Sequence, residues 1–136
     1  MQQSNAVYQD NKEKSAGVAK ILAIDDEPHF LALLTKTLVK EGYDIKTALN
    51  GEDALKRLEQ ESFNLVLIDV SMPRLNGLFL LDYIKKTYSP TKIIVITGHP
   101  DMYHRAFSFE HGAAAYLTKP LDIEEIKKTI RETLSH

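Results

Sequence analysis

Three short apolar runs are the sequence feature that most constrains the fold. Each has four apolar residues and includes β-branched side chains; the runs are Ile21–Ile24, Leu65–Ile68 and Ile93–Ile96. A strand that is apolar on both faces is typical of the interior of a parallel sheet covered on both sides. The sequence therefore predicts a parallel sheet with these three runs at its centre.

Two weaker segments supply the predicted edges of that sheet. Residues 43–47 (YDIKT) alternate in polarity, which is typical of a strand with one exposed face. Residues 114–117 (AAYL) follow the last central run, and we assign them to the opposite edge. The prediction is a sheet of five strands.

Apolar residues recur at helical spacing after each predicted strand, and we expect them to face the core. They are Phe30, Leu33, Leu34 and Leu38; Ala54, Leu55 and Leu58; Leu78, Leu81 and Ile84; Met102, Ala106 and Phe109; and Ile123, Ile126, Ile130 and Leu134. Before the last helix, Asp122 and Glu125 have the spacing of a capping box. Five alternating strands and helices predict an α/β, doubly wound (βα)₅ fold with helices on both faces.

The length and composition bound the class of protein. A chain of 136 residues favours one domain, and we assign residues 19–136 to it. Residues 1–18 are polar and without periodicity, so we predict a flexible N-terminal tail. The chain has no cysteine, which excludes disulfides and thiolate metal sites.

Charge and hydropathy bear on the location of the protein and on its contacts with nucleic acid and membranes. The net charge is −2 without clustered Lys and Arg, so we expect no direct contact with nucleic acid. No apolar run approaches the ~20 residues that cross a bilayer, and the first residues lack the apolar stretch of a signal peptide. We therefore expect a cytoplasmic protein with no membrane contact.

The reactive side chains follow the predicted strands. Asp25 and Asp26 come directly after the first strand, Asp69 after the third and Thr97 after the fourth, and Lys119 lies just beyond the fifth. Parallel strands end at one edge of the sheet, where open α/β folds bind ligands. Neighbouring strands are ~4.8 Å apart, so these side chains converge if strands 1, 3, 4 and 5 are adjacent. That condition predicts the strand order 2-1-3-4-5.

The chemistry of this set indicates phosphoryl transfer. Three gathered carboxylates repel one another unless a cation intervenes, and a set of oxygen ligands suits Mg²⁺. An Asp carboxylate can accept a phosphoryl group as an acyl phosphate. The Lys119 ammonium and the Thr97 hydroxyl are suited to neutralise and bind the phosphoryl oxygens.

Four segments carry a resemblance to a known family. ILAIDDEP, LVLIDVSMPRLNG, IIVITGH and AAAYLTKPL, each at a strand end, resemble the motifs of the response-regulator receiver domain of two-component signalling. The resemblance covers residues 19–136 and is closest to receivers attached to transcriptional regulators. It implies a flavodoxin-like fold, in agreement with the predicted topology.

The resemblance also implies roles for the residues at the predicted site. Asp69 is the phospho-acceptor, and Mg²⁺ binds Asp25, Asp26, Asp69 and the backbone carbonyl of Ser71. Lys119 pairs with the phosphoryl group, and its bond to Pro120 is cis.

Further residues are expected to take part in the conformational change, to set the lifetime of the phosphoryl group or to contact a partner. The resemblance makes Thr97 the switch hydroxyl and Tyr116 the switch aromatic, and places Ser71 and His99 where receivers set the lifetime of the phosphoryl group. Tyr103 and Phe107, four residues apart on the fourth helix, are our candidates for a partner surface. The face formed by helix 4, strand 5 and helix 5 is the expected contact with a downstream effector or output domain.

The function implied is a signalling switch. A histidine kinase or a histidine phosphotransfer protein donates the phosphoryl group to Asp69, and the domain catalyses only its own phosphorylation and dephosphorylation. The chain ends one helix after Lys119, so we expect no output domain within it.

Two alternatives remain open from the residues alone. An aspartyl-phosphate phosphatase normally has a second Asp two residues after its nucleophile, and here that residue is Ser71. A receiver-like binding module independent of phosphorylation would not need Asp69, Thr97 and Lys119 together.

Overall fold

The structure is a computed structural model that describes residues 17–72 and 77–136. Strands and helices alternate along the chain as β1 Lys20–Ile24, α1 Pro28–Lys40, β2 Asp44–Ala48, α2 Gly51–Gln60, β3 Leu65–Asp69, α3 Gly77–Thr87, β4 Lys92–Thr97, α4 Met102–Glu110, β5 Ala115–Thr118 and α5 Ile123–Leu134. Most of the predicted tail, residues 1–16, lies outside the described residues. None of the helices in the described ranges has the length and apolar character of a membrane-spanning segment.

All five strands run parallel in the order β2-β1-β3-β4-β5, which confirms the predicted topology. The edge strands each begin one residue later than predicted. Tyr43 precedes β2 because its N–H donates to Leu38 O in the turn that ends α1. Ala48 and Thr118 extend β2 and β5, since they pair in register with Ile24 and Thr97.

The three central strands separate two apolar cores. Ile21 and Ala23 of β1 point into the core shared with α1 and α5, whereas Leu22 and Ile24 point into the core shared with α2 and α3. All four side chains are buried, because successive residues of a strand face opposite sides. The carboxyl edge of β1, β3 and β4 is therefore held from both faces.

The cap residues fix where the helices begin. The side chains of Asn50, Asp101 and Asp122 accept hydrogen bonds from backbone N–H groups in the first turns of α2, α4 and α5. Asp122 accepts from the N–H groups of Glu124 and Glu125, so the Asp side of the predicted capping box is present.

The prediction of the buried faces is wrong in two helices. In α1, Leu33 is 54% exposed, and Leu31 joins the core instead. In α4, Met102 is 89% and Phe109 40% exposed, Ala106 is also exposed, and only Ser108 is buried. Ser108 can take the inward position because its hydroxyl donates to the His104 carbonyl, which satisfies the polar group within the helix. The outer surface of α4 consequently carries apolar side chains beside the exposed Arg105 and Glu110.

Candidate functional site

Three carboxylates converge at the carboxyl edge of the sheet, as predicted. One oxygen from each of Asp25, Asp26 and Asp69 lies within 4.8 Å of the others. Asp25 and Asp69 are only 2% and 4% exposed, whereas Asp26 is open to solvent. The cluster therefore has a buried floor and an accessible side.

Backbone hydrogen bonds hold the loops that carry these carboxylates. The Asp25 N–H donates to Ala48 O at 3.1 Å, and the Asp25 Oδ1 atom accepts from the Glu27 N–H at 2.9 Å. Asp69 Oδ1 accepts from the Ser71 N–H at 2.7 Å and also from the Ser71 hydroxyl. Both buried carboxylates are thus oriented by the chain two residues ahead of them.

The start of α3 also restrains the loop after β3. A Cβ atom on Gly77 would lie 2.5 Å from the Cα atom of Val70, so only glycine allows this approach. Val70 in turn donates its N–H to Ile96 O of β4 at 3.1 Å. The residue that follows Asp69 is therefore clamped between β4 and α3.

Lys119 lies at the centre of the acidic cluster. Its Nζ atom is 2.7 Å from Asp25 Oδ2, 3.1 Å from Glu27 Oε1 and 3.2 Å from Asp69 Oδ2. The same ammonium lies 4.3 Å from the centre of the Phe30 ring, within the range of a cation–π contact. The cis bond between Lys119 and Pro120 that the resemblance implied is present.

Burial and the Lys119 ammonium have opposing effects on the electrostatics of the cluster. Burial alone lowers the pKa of Lys119, but the hydrogen bond and negative charge of Asp25 outweigh it and raise the pKa above its ordinary value. Burial raises the pKa of Asp25, and the hydrogen bonds from Lys119 and from the Glu27 N–H oppose that rise. Lys119 therefore stays protonated and offsets part of the carboxylate repulsion.

Thr97 ends β4 beside Asp69, where the sequence predicted a phosphate-binding hydroxyl. Its side chain is fully buried, and its Oγ1 atom accepts a hydrogen bond from the His99 N–H at 3.0 Å. The backbone carbonyl of Thr97 accepts from the Lys119 N–H at 2.8 Å. Thr97 is thus coupled through the backbone to both His99 and Lys119.

Tyr116 lies on the face of the sheet that α2 and α3 cover. It pairs in register with Val95 and packs against the core shared with α2 and α3. Its hydroxyl is buried, and in the described part of the chain it has no hydrogen-bond partner. A buried hydroxyl without a hydrogen-bond partner costs free energy, so the inward position of Tyr116 is less favourable than its apolar packing alone would make it.

The two candidate partner residues on α4 differ in exposure. Tyr103 is 68% exposed and Phe107 is half-buried, with their ring centres 6.2 Å apart. The Phe107 ring also stacks on the His111 ring at 3.9 Å. Tyr103 is therefore the accessible member of the pair.

The donor set fits Mg²⁺. It consists of carboxylate oxygens, two of them on buried and well-oriented side chains, with the third open to water. Mg²⁺ prefers such oxygen ligands and keeps several waters of its own, which the open side of the cluster can admit.

Comparison with known proteins identifies the family. The family described as "Response regulator receiver domain" matches residues 21–131. The chain belongs to the response-regulator receiver family. It is a receiver domain of two-component signalling, and the relatives are response regulators, as the motifs implied.

Two curated relatives illustrate the match. The alkaline phosphatase synthesis transcriptional regulatory protein PhoP of Bacillus subtilis (strain 168) is 33% identical over 115 residues, which cover 85% of this chain and 48% of PhoP. The response regulator ArlR of Staphylococcus aureus is 33% identical over 117 residues, which cover 86% of this chain and 53% of ArlR. The chain spans about half the length of these curated relatives.

Solved receiver structures have the same fold. A CheY-like receiver domain protein from Methanospirillum hungatei JF-1 superposes with a TM-score of 0.84 at 32% identity, covering 87% of this chain and 94% of that one. A receiver domain protein from Clostridium thermocellum gives a TM-score of 0.81 at 31% identity, covering 87% and 95% of the two chains.

Sequence reasoning missed two residues that position Lys119 of the receiver. Glu27 accepts one of its hydrogen bonds, and Phe30 lies beneath its ammonium. Glu27 was visible only as part of the acidic run before α1, and Phe30 only as a core residue of that helix. Their common contact joins the start of α1 to the loop after β5, which local sequence patterns do not reveal.

Proposed function

We propose that this receiver accepts a phosphoryl group on Asp69 from a histidine kinase or a histidine phosphotransfer protein. The observation that carries the proposal is the buried Asp69 carboxylate, which lies beside the carboxylates of Asp25 and Asp26 and 3.2 Å from the Lys119 ammonium. Labelling of the protein by acetyl phosphate in the presence of Mg²⁺ is the direct test.

Asp25, Asp26 and Asp69, with the backbone carbonyl of Ser71, would hold Mg²⁺ in this proposal. When bound, Mg²⁺ supplies positive charge that compensates the phosphoryl oxygens and the crowded carboxylates. The exposed side of the cluster at Asp26 provides the entrance for the hydrated ion.

The transfer itself follows from the chain's own groups. A carboxylate oxygen of Asp69 attacks phosphorus, the bond from phosphorus to the donor's imidazole nitrogen breaks, and that nitrogen keeps the electron pair. Lys119 pairs with the phosphoryl oxygens, and the Thr97 hydroxyl donates a hydrogen bond to them. In dephosphorylation water attacks the same phosphorus, the bond from phosphorus to the Asp69 oxygen breaks, and inorganic phosphate leaves while the Asp69 carboxylate is restored. In this proposal the domain catalyses only these changes in its own state.

Ser71 and His99 are our candidates for setting how long the phosphoryl group lasts. The Ser71 hydroxyl bonds directly to Asp69, and the His99 backbone bonds to Thr97. Both residues flank the place where the phosphoryl group would sit, and hence the path of the attacking water.

The output of the switch is proposed to be the surface of α4, β5 and α5. If the Thr97 hydroxyl turns to the phosphoryl oxygens, the packing between β4 and Tyr116 changes, and the phosphoryl group biases one of two packed arrangements. Tyr103 and Phe107 would then report the change to a downstream effector or an output domain. PhoP is named as a transcriptional regulatory protein, and this chain matches about half of it, which supports an attached regulator.

Thr97→Ala is expected to break this coupling. Beryllofluoride with Mg²⁺, which stands in for the phosphoryl group on Asp69, should shift the NMR signals of Tyr103, Phe107 and Tyr116 in the parent. Without the hydroxyl, the distant shifts should be lost while the site still binds beryllofluoride. Thr97→Ser keeps a hydroxyl and should restore them; identical distant shifts in parent and alanine variant would contradict the coupling.

Tyr116→Phe is expected to stabilise the protein. It removes a buried hydroxyl without a hydrogen-bond partner, a group that costs about 1–3 kcal/mol when it is left unsatisfied. We expect urea unfolding to show a gain of about 1 kcal/mol. Tyr103→Phe, on an exposed ring, is the matched control and should be neutral; a loss of stability in Tyr116→Phe would refute this account of the hydroxyl.

The same proposal covers location and contacts. A histidine kinase uses ATP, which is found inside the cell, so we place the phosphorylated domain in the cytoplasm. The net charge is −2, whereas domains that bind nucleic acid are commonly basic, and we assign any contact with nucleic acid to an attached domain.

A further inference from the structure

The outer helix α4 is weakly held by apolar packing. Only Ser108 of this helix is buried, while Met102, Tyr103 and Phe109 are exposed by 89%, 68% and 40%. Segments with few buried apolar contacts open at low free-energy cost. A modest polar interaction at α4 therefore has a large influence on how often the helix leaves the sheet.

A polar side-chain contact joins the C-terminal end of α4 to α3. The Nδ1 atom of His111, the C-cap residue, is 2.7 Å from Asp82 Oδ1 on α3. The His111 ring stacks on the Phe107 ring with centres 3.9 Å apart and planes at 15°. Lys86 occupies the other oxygen of Asp82, with its Nζ atom 3.0 Å from Oδ2. These residues join the end of α4 to the middle of α3.

We propose that His111, Asp82 and Phe107 form a proton-sensitive latch that holds the C-terminal end of α4 to α3. Imidazole donates to Asp82 both when protonated and as the neutral Nδ1–H tautomer, but only the protonated ring adds a charge. That positive charge faces a carboxylate and also sits at the negative end of the helix dipole. Protonation of His111 therefore tightens the latch.

The charged groups around His111 and Asp82 are consistent with a latch that protonation tightens. The hydrogen bonds from His111 and then from Lys86 hold the pKa of Asp82 below its ordinary value, so its carboxylate stays charged where imidazole titrates. Lys85 directs its ammonium to the carbonyls of Ser89 and Thr91. Glu110, which precedes His111 in the chain, is exposed at the end of α4.

The pH dependence follows. Asp82 has a lowered pKa, so its contribution to the latch is present above its ordinary pKa of 3.8 and is lost only as the pH falls through the lowered value. Imidazole is the side chain that changes its charge between about pH 5 and pH 8, so the charge added by protonation is present below that range and absent above it. The latch is tightest between these limits and loosens toward mildly alkaline pH.

Amide hydrogen exchange on the unphosphorylated protein tests the latch. Protection factors of residues 105–111, with intrinsic exchange rates divided out, should fall about two- to fivefold between about pH 5.5 and pH 8. The amides of β3, which lies in the core, should not change in the same way. His111→Gln keeps a neutral donor and should remove the pH dependence, whereas Asp82→Asn should reduce it and leave the part due to the helix dipole.

His104→Gln is the matched control, because His104 lies on the same helix and its ring is 6.0 Å from that of Tyr103. This variant should keep the parental pH dependence. The latch proposal would be overturned if the protection factors of α4 in the parent did not change with pH. It would also be overturned if the pH dependence were lost in His104→Gln and kept in His111→Gln. An equal change in β3 would also overturn it. Asp69 is unaltered throughout, so these outcomes are independent of phosphoryl transfer.

Discussion

Asp69→Asn is expected to abolish phosphorylation by acetyl phosphate and Mg²⁺. The amide keeps the shape of the side chain but lacks the carboxylate oxygen that attacks phosphorus, so the rate should drop by more than about a thousandfold. The fold should persist, because Lys119 retains its contacts with Asp25 and Glu27. Intact-mass measurement over time gives the stoichiometry, which should be one phosphoryl group in the parent.

Two comparisons sharpen that experiment. Asp44→Asn removes an exposed carboxylate from the edge strand and should label like the parent. The label should be released by hydroxylamine, which cleaves an acyl phosphate and leaves a phosphoserine or phosphothreonine ester in place. Labelling of Asp69→Asn at the parental rate, or a label that survives hydroxylamine, would show that the acceptor is another residue.

Asp26→Asn is expected to weaken Mg²⁺ binding by about tenfold or more, since even the residues behind a metal ligand commonly change affinity by that factor. Asp26 is the exposed carboxylate of the cluster, so its loss removes a ligand without leaving a buried charge unpaired. Thermal melting with increasing Mg²⁺ measures the affinity, because an ion that binds only the folded state raises the melting temperature.

Glu27→Gln is the matched control for the metal site. Glu27 is also an exposed acid beside the cluster, but it contacts Lys119 and lies outside the three converging carboxylates. It should change Mg²⁺ affinity much less than Asp26→Asn. Removing Asp26 should also stabilise the metal-free protein, by a small amount because Lys119 already neutralises part of the cluster. Equal Mg²⁺ stabilisation of Asp26→Asn and the parent would exclude Asp26 as a ligand.

Most of the site could be predicted from the sequence because its residues come directly after strands, and each strand is recognisable from a short run of apolar residues. The runs before Asp25, Asp69 and Thr97 are apolar at every position, which predicts both a buried strand and its end. The strand order followed from requiring these ends to meet, and the observed order β2-β1-β3-β4-β5 satisfies that condition. The roles of Ser71, Tyr116 and Pro120 came from the family resemblance, since their spacing alone carries no chemistry.

The buried face of α4 could not be read in this way. Periodicity gives a stripe of apolar residues, and Met102, Ala106 and Phe109 form such a stripe, yet they face outward. The face that a short amphipathic helix buries depends on the neighbours it meets, and here His111 contacts Asp82 of α3. The buried Ser108 satisfies its hydroxyl within the helix by donating to the His104 carbonyl. In a helix with so little apolar burial, a few polar contacts decide its rotation.

The sequence by itself determined the topology of the sheet and the place where its reactive side chains meet, because local pattern sets the strand ends and the requirement that those ends meet sets the strand order. Only the tertiary structure decided which groups surround those side chains: Glu27 and Phe30 around Lys119, Asp82 beside His111, and the buried hydroxyl of Tyr116. Such contacts join elements far apart in the chain, and their energies depend on distance and burial. Those quantities exist only once the helices have packed on the sheet.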